Sequence, residues 1–266
     1  MMVSSLVRYT RHIPKRIGQL FLQDCCCELC LDPVTQAQSS CSFLCNGCYK
    51  ELPVALSVCS HCSEPMPPAS RAQPQRCLRC QQHPPEYDYS HCRFLFHPPI
   101  NLWIRAAKDK RQEYWLYRLA TLMLEQPPAM LNQVDALVYI PSHWWTHWKR
   151  GYNPSEVLAR ALSHSTGIPI QEGCLHKRFA RDQRHLSARE RRNNLATSLH
   201  SGNQNLAQKH LLIIDDVMTT GATASAAAMA LKHQGATIVG IWALARTPPT
   251  RRLMHNAPST IGRKSS

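Results

Sequence analysis

The sequence lacks the features of a membrane or secreted protein. It has no apolar run of about 18 residues, the length needed to span a bilayer, so we expect no membrane insertion. The N-terminal segment 1–24 is basic and lacks the continuous apolar stretch and small-residue cleavage site of a signal peptide. We therefore expect a cytoplasmic protein, in which cysteines stay reduced instead of forming a disulfide framework.

Acidic residues are also scarce. The chain has 17 Asp and Glu against 31 Lys and Arg, a formal net charge of +14, and it carries 14 His. Such an excess favours polyanionic partners through the release of counterions, so nucleic acid is an expected ligand. The alternative is a basic soluble protein without such a partner. Apolar residues make up 44% of the chain, which is enough for a packed core.

Eight of the 13 cysteines form four Cys-x-x-Cys pairs. The arrangement repeats with a period of 32 residues, from Cys27 to Cys59 and from Cys45 to Cys77. Four thiolates complete a tetrahedral zinc site, so the sequence predicts a double zinc ribbon over residues 25–88. The predicted ligands are Cys27, Cys30, Cys45, Cys48, Cys59, Cys62, Cys77 and Cys80.

The pairing of these ligands is open. The repeat favours a tandem arrangement, in which the first two pairs bind one ion and the last two bind another. The spacing equally allows a cross-braced arrangement, and a single occupied site is a further alternative. Cys25, Cys26 and Cys41 lie close enough in sequence to replace a ligand. Closed all-cysteine sites are structural, so we expect one or two structural Zn²⁺ ions.

Residues 89–246 have the pattern of an α/β domain. Apolar, strand-like runs occupy 91–96, 134–140, 211–216 and 237–245, and helical patterns occupy 102–110, 114–124, 153–163 and 222–234. Strands that alternate with helices predict a parallel sheet with helices on both faces. The last segment, 247–266, is polar and basic, and we expect a flexible tail.

The stretch Leu211–Thr223, LLIIDDVMTTGAT, has the composition of a phosphate-binding strand, loop and helix. A buried strand brings the loop to its carboxyl end, where ligands bind in open α/β sheets. Gly221 allows close approach of the backbone, and the N–H groups of a helix start favour an anion. Asp215 and Asp216 would repel a phosphate and instead suit ribose hydroxyls or a hydrated Mg²⁺. The alternative is a strand that ends in an acidic turn and a threonine helix cap.

This stretch resembles the phosphoribosyl pyrophosphate (PRPP) signature of type I phosphoribosyltransferases, and the chain is similar to the ComF family. The similarity covers residues 27–246 and includes IPSHWWTHWKRGYNPSEVLA at 140–159 and QRHLSARERRNNL at 183–195. Members of that family combine an N-terminal Cys-rich zinc module with a phosphoribosyltransferase domain, and they are implicated in natural transformation and the use of external DNA. Two positions depart from the family pattern, Tyr152 for the usual Phe and Pro154 for the usual Gln.

The resemblance implies roles for individual residues. Asp215 and Asp216 would form the catalytic carboxylate pair, which binds the ribose hydroxyls of Mg²⁺-PRPP. Arg150 and Lys108 would bind its pyrophosphate. The loop for the 5-phosphate would consist of Thr219, Thr220, Gly221, Ala222 and Thr223.

Two further stretches are candidates for DNA contact. Residues 143–153 interleave tryptophans with basic residues, a pattern that stacks on unpaired bases while cations follow the backbone. Burial of these tryptophans within the domain is an equally supported alternative. Residues 176–192 are rich in arginine, and they would either bind phosphates and close over the site or form a solvated basic face.

Two hypotheses for the function follow. In the first, the chain binds PRPP and single-stranded DNA and acts with proteins of the DNA-uptake machinery in natural transformation. In the second, it is an active phosphoribosyltransferase, a pentosyltransferase that moves ribosyl 5-phosphate from PRPP to a nitrogen acceptor and releases pyrophosphate. The first is favoured because no residue identifies an acceptor and because the family resemblance indicates DNA.

Overall fold

The chain forms two compact units, which divide between Leu52 and Pro53. The computed structural model describes residues 25–34, 43–67, 76–142, 150–177, 199–202 and 204–248. In the first unit, strands β1 (Cys25–Cys26) and β2 (Pro33–Val34) pair in antiparallel fashion, and a short helix α1 (Asn46–Lys50) follows. The remaining elements belong to the second unit.

A four-stranded parallel sheet organises the second unit. Its order is β3-β8-β7-β4, with β3 at Tyr89–Leu95, β4 at Ala136–Tyr139, β7 at His210–Met218 and β8 at Ile238–Arg246. The two central strands are buried along nearly their whole length, as expected for apolar runs covered on both faces. The predicted parallel α/β sheet is confirmed.

Helices connect these strands. They are α2 (Leu78–Gln82), α3 (Ile100–Lys110), α4 (Tyr114–Leu124), α5 (Pro154–Thr166) and α6 (Ala222–His233), with a 3₁₀ turn at Leu131–Gln133. After α5 the chain pairs Ile170 with Leu137 on the outer edge of β4, so this connection runs outward. The connection from β7 through α6 runs inward, to β8. Right-handed connections in opposite directions place α5 and α6 on opposite faces of the sheet.

The start of α5 follows from its local sequence. Asn153 has an extended backbone, and its side chain accepts a hydrogen bond from the Ser155 N–H at 3.3 Å. Pro154 occupies the first helical position, where its missing N–H costs nothing. The helix ends at Gly167, which adopts the left-handed conformation with φ of 77°.

One sheet of the structure was not expected from the sequence. A two-stranded antiparallel sheet, β5 (Leu175–Lys177) with β6 (Leu199–Ser201), was not predicted, because its strands are three residues long and have no clear pattern. The division of the chain also falls inside the predicted zinc-ribbon segment 25–88. Among the cysteines of the second half of that segment, Cys59, Cys62 and Cys80 are buried in the core of the sheet domain.

Within the part of the chain that the structure describes, every helix is too short or too polar to cross a membrane. The predicted segment 1–24 and almost all of the tail 247–266 lie outside the described residues.

Gly240 provides a test of the packing between β8 and β3 in the parallel sheet. A Cβ at this position in β8 would lie 2.2 Å from Cζ of Tyr89, whose hydroxyl shares a 2.9 Å hydrogen bond with His210 Nε2. We expect Gly240→Ala to lower the free energy of unfolding by about 1–3 kcal/mol, the usual cost of overpacking, as measured by denaturant titration. In a Tyr89→Ala background the tyrosine ring is absent, so Gly240→Ala should lower the free energy of unfolding by less. An equal cost in both backgrounds would contradict the predicted clash.

Candidate functional site

The candidate phosphate loop follows the carboxyl end of β7. Thr219 and Thr220 are exposed, Gly221 has φ of 78°, and α6 begins at Ala222. The hydroxyl of Thr220 accepts a hydrogen bond from the Ala222 N–H at 3.3 Å. A Cβ on residue 221 would lie 3.1 Å from the Tyr87 hydroxyl, so the left-handed conformation favours glycine here and the tight space adds to the preference.

The two carboxylates of β7 have different partners. The Ser155 hydroxyl donates a 2.9 Å hydrogen bond to Asp215 Oδ1, which also accepts from the Asp216 N–H at 2.9 Å. Asp216 forms an ion pair with Lys108, and the two side chains are 8% and 28% exposed. The pair therefore lies in a region of low solvent access, where the loss of one partner leaves a costly unpaired charge.

The surroundings of Asp215 raise the pKa of its carboxyl group. Burial raises its pKa, and the charge of Asp216 adds to the effect, while the Ser155 hydrogen bond and Lys108 oppose it. The result is a pKa of about 7. Near neutral pH the Asp215 carboxyl group therefore titrates, beside the ion pair of Asp216 with Lys108.

Arg150 and Tyr152, which lie between β4 and α5, form hydrogen bonds with the C-terminal end of α3. Arg150 Nε donates a 2.6 Å hydrogen bond to the carbonyl of Lys108, and the Tyr152 hydroxyl donates to the carbonyl of Ala107. These carbonyls belong to the last turn of the helix, where carbonyl groups have no N–H partner within the helix itself. Tyr152 thus gains a hydrogen bond that the family's usual Phe cannot make. The structure brings Lys108, Arg150 and both predicted carboxylates into one connected network.

Several residues of the site were missed by sequence reasoning. Ser155 orients Asp215, and Asn153 Nδ2 donates a 2.9 Å hydrogen bond to the carbonyl of Ile140, which ties the start of α5 to the end of β4. The capping pattern Asn-Pro-Ser marked this helix start but gave no indication of a contact with residue 215. Tyr87 under the phosphate loop had no local signal.

The predicted zinc ligands form two groups of four. The first cysteine group is Cys27, Cys30, Cys45 and Cys48, and the second cysteine group is Cys59, Cys62, Cys77 and Cys80. Within each group the sulfur atoms all lie within 4.8 Å of one another. The grouping is tandem and not cross-braced. Cys26 is exposed, and Cys41 lies outside the described residues.

The geometry of both groups suits a zinc ion. The Cys30 and Cys45 sulfurs are 3.7 Å apart, as are those of Cys62 and Cys77. Zn–S bonds of about 2.3 Å in a tetrahedron place sulfur atoms about 3.8 Å apart. Burial raises the pKa of Cys59, but the backbone N–H groups of its neighbours outweigh this and lower the pKa to about 7, whereas burial and the neighbouring Cys62 raise the pKa of Cys80 in the same group.

The candidate DNA-contact stretches lie largely outside the described residues, which omit 143–149 and 178–198. Only their ends are described, at Arg150 to Asn153 and at His176 to Lys177.

Comparison with known proteins agrees with this architecture. The phosphoribosyl transferase domain family matches residues 149–265. The DNA utilization protein YhgH of Salmonella typhimurium is 32% identical over 229 residues, which cover 83% of this chain and 96% of that protein. Competence protein F of Haemophilus influenzae is 27% identical over 212 residues, 76% of this chain and 90% of that protein. The chain belongs to the ComF family.

Solved structures with related folds include a purine phosphoribosyltransferase from Pyrococcus horikoshii. It is 18% identical, covers 50% of this chain and 84% of its own, and has a TM-score of 0.33. The ComF chain combines a phosphoribosyl transferase domain, as its family match shows, with two cysteine groups that fit zinc.

The tandem grouping predicts the metal content of the ComF chain. Elemental analysis of the purified protein should give about two zinc ions per chain, since each group supplies four thiolates. Cys27→Ser/Cys30→Ser should remove one ion and leave the other, because the groups share no ligand. A wild-type content of one ion, or loss of both ions in this variant, would contradict the tandem assignment.

Proposed function

We propose that this ComF-family chain binds Mg²⁺-PRPP at the carboxyl end of β7 and acts in the cytoplasm in the utilisation of external DNA. Single-stranded DNA is its second phosphate-rich ligand, and proteins of the DNA-uptake machinery are its partners. The observation that carries the proposal is the convergence of Asp215, Asp216, Lys108 and Arg150 beside the loop at 219–221.

Each group in this arrangement suits one part of PRPP. The backbone N–H groups at the start of α6, with the Thr219 and Thr220 hydroxyls, bind the 5-phosphate. The two carboxylates accept hydrogen bonds from the ribose hydroxyls, and Lys108 and Arg150 bind the pyrophosphate. Mg²⁺, which prefers oxygen ligands and keeps several waters, neutralises the pyrophosphate and reaches the carboxylates through its waters.

The DNA role is supported by the names of the relatives and by charge. The Salmonella relative is named a DNA utilization protein, and the Haemophilus relative is named competence protein F. The net charge of +14 favours a polyanion. The tryptophan-rich stretch 143–153 supplies rings that suit unpaired bases, and 176–192 supplies arginines.

A second candidate is an active phosphoribosyltransferase. It is favoured by the pKa of Asp215, since an acid that titrates near neutrality suits proton transfer. In this reaction an acceptor nitrogen forms a bond to the anomeric carbon of PRPP, the bond to pyrophosphate breaks, and the acceptor proton is released.

One experiment separates the two candidates. The full chain is incubated with Mg²⁺-PRPP, with and without candidate bases and single-stranded DNA, while PRPP binding is measured by calorimetry and pyrophosphate release by a coupled assay. We expect PRPP binding without release, together with a gel shift of single-stranded DNA that weakens with salt. Asp215→Asn/Asp216→Asn should abolish PRPP binding, and the control Asp109→Asn, which removes an exposed carboxylate of α3, should not.

Other outcomes change the conclusion. Pyrophosphate release that disappears in the double variant would establish the transferase and overturn our preference. A chain that binds PRPP but gives no shift of DNA would remove the DNA ligand from the proposal. If the chain binds neither PRPP nor single-stranded DNA, both candidate functions are rejected.

The pKa of Asp215 predicts a pH dependence of binding. The ribose hydroxyls donate to the ionised carboxylate, so binding favours the form that the free protein holds only above about pH 7. Below that pH, binding must release a proton, and the affinity should fall by up to about tenfold per pH unit. Calorimetry between pH 5.5 and pH 8.5 (~3 units) measures this slope. The Asp215→Asn variant lacks the titrating group, and equal slopes in the two proteins would contradict the assignment.

A further inference from the structure

The phosphate loop is held from the side of the second cysteine group by a buried arginine. Arg246, at the end of β8, is 2% exposed. Its Nε donates a 3.0 Å hydrogen bond to the carbonyl of Cys62, and its Nη1 donates a 2.9 Å hydrogen bond to the carbonyl of Met218. One guanidinium thus joins a predicted metal ligand to the residue directly before the loop.

A second arginine reaches the loop from between two predicted ligands. Arg79 lies in α2, between Cys77 and Cys80, and its Nη1 donates a 3.1 Å hydrogen bond to the carbonyl of Thr220. Its Nη2 lies 3.5 Å from Oε2 of Glu64, the residue whose carbonyl accepts from the Cys59 N–H at 2.8 Å.

Tyr87 forms a third connection. Its hydroxyl lies under Gly221, and its carbonyl accepts a 2.7 Å hydrogen bond from Nε2 of His61, which stands between Cys59 and Cys62 in the chain. Tyr87 is 1% exposed, so this contact is part of the core.

These contacts help to fix the direction of the loop's donors, together with the Thr247 N–H, which donates a 3.0 Å hydrogen bond to the same Met218 carbonyl. In a trans peptide, the N–H of the next residue points opposite to the carbonyl. Because the arginines bind the carbonyls of Met218 and Thr220, the N–H groups of Thr219 and Gly221 point away from the second cysteine group. Those N–H groups belong to the loop to which we assign the 5-phosphate. A zinc ion with four thiolates would carry a net charge of about −2, and the two guanidinium groups, which also face Glu64, would offset part of it.

We propose that metal at the second cysteine group positions the phosphate loop, so that its occupancy controls affinity for PRPP while occupancy of the first cysteine group does not. This inference rests on the proposed function, because it concerns the same loop. Arg79 and Arg246 are positioning residues in this scheme, since they act through the backbone of the loop.

Matched variants of the full chain test the asymmetry. Cys59→Ser/Cys62→Ser and Cys27→Ser/Cys30→Ser each remove two ligands from one group. Zinc content, circular dichroism and PRPP binding by calorimetry are measured for both. We expect each variant to lose one zinc, and only the first to lose PRPP affinity, by about tenfold or more. Equal losses of affinity in the two variants would overturn the proposal.

A substitution that leaves all eight predicted zinc ligands in place tests the same proposal if the cysteine variant unfolds. Arg79→Gln removes the donor to Thr220, whereas the control Arg76→Gln removes the same charge from an exposed position just before Cys77. Both should retain two zinc ions. We expect PRPP affinity to fall about tenfold for Arg79→Gln only. Wild-type affinity in Arg79→Gln, or an equal fall in both, would contradict loop positioning.

Hydrogen exchange separates this inference from the proposed function. In the absence of PRPP, a peptide covering 211–225 should exchange faster when zinc is removed from the second cysteine group, but not from the first. Unchanged exchange would reject the coupling. If zinc removal speeds exchange in this peptide but the protein does not bind PRPP, the coupling between the metal and the loop is supported and PRPP is rejected as the ligand.

Discussion

The unequal lengths of β4 and β7 are the constraint on which the site depends. The two strands pair only as far as Tyr139 and Ile214, whereas β7 and β8 continue together to Met218 and Arg246. Asp215 and Asp216 are therefore the first residues of β7 beyond the end of its neighbour. The connections that leave β4 and β7 run in opposite directions, which makes this gap the switch point where ligands bind in open α/β sheets.

The gap is lined by elements that arrive from other parts of the chain. The start of α5 brings Ser155 to Asp215, and the end of α3 brings Lys108 to Asp216. Each contact satisfies a polar group that the sheet itself leaves open, so the carboxylates have fixed partners before any ligand arrives. Preorganisation of this kind reduces the free energy that a ligand must supply to order the site.

The parts of this arrangement that could be predicted are those with local causes. The apolar run before Asp215, the Thr-Gly loop and the Asn-Pro helix start each carry a pattern within a few residues, and the sheet follows from their alternation. The contacts of Arg79 and Arg246 join residues 141 and 184 positions apart in the chain, and no local pattern encodes them. The same reason explains why the 32-residue repeat predicted two tandem ribbons but gave no indication that Cys59, Cys62 and Cys80 of the second cysteine group pack into the core that contains the sheet.

The Lys108–Asp216 ion pair also sets a condition on selectivity. In the proposed role, binding at this position would be an exchange, in which a ligand must separate two partly buried opposite charges and offer a partner to each. Free phosphate can replace Asp216 beside the ammonium but leaves the carboxylate alone, and a free sugar does the reverse. A molecule that carries hydroxyls and phosphates at a fixed separation satisfies both groups at once. If the proposed ligand binds here, the pair would discriminate against simple anions without any steric barrier.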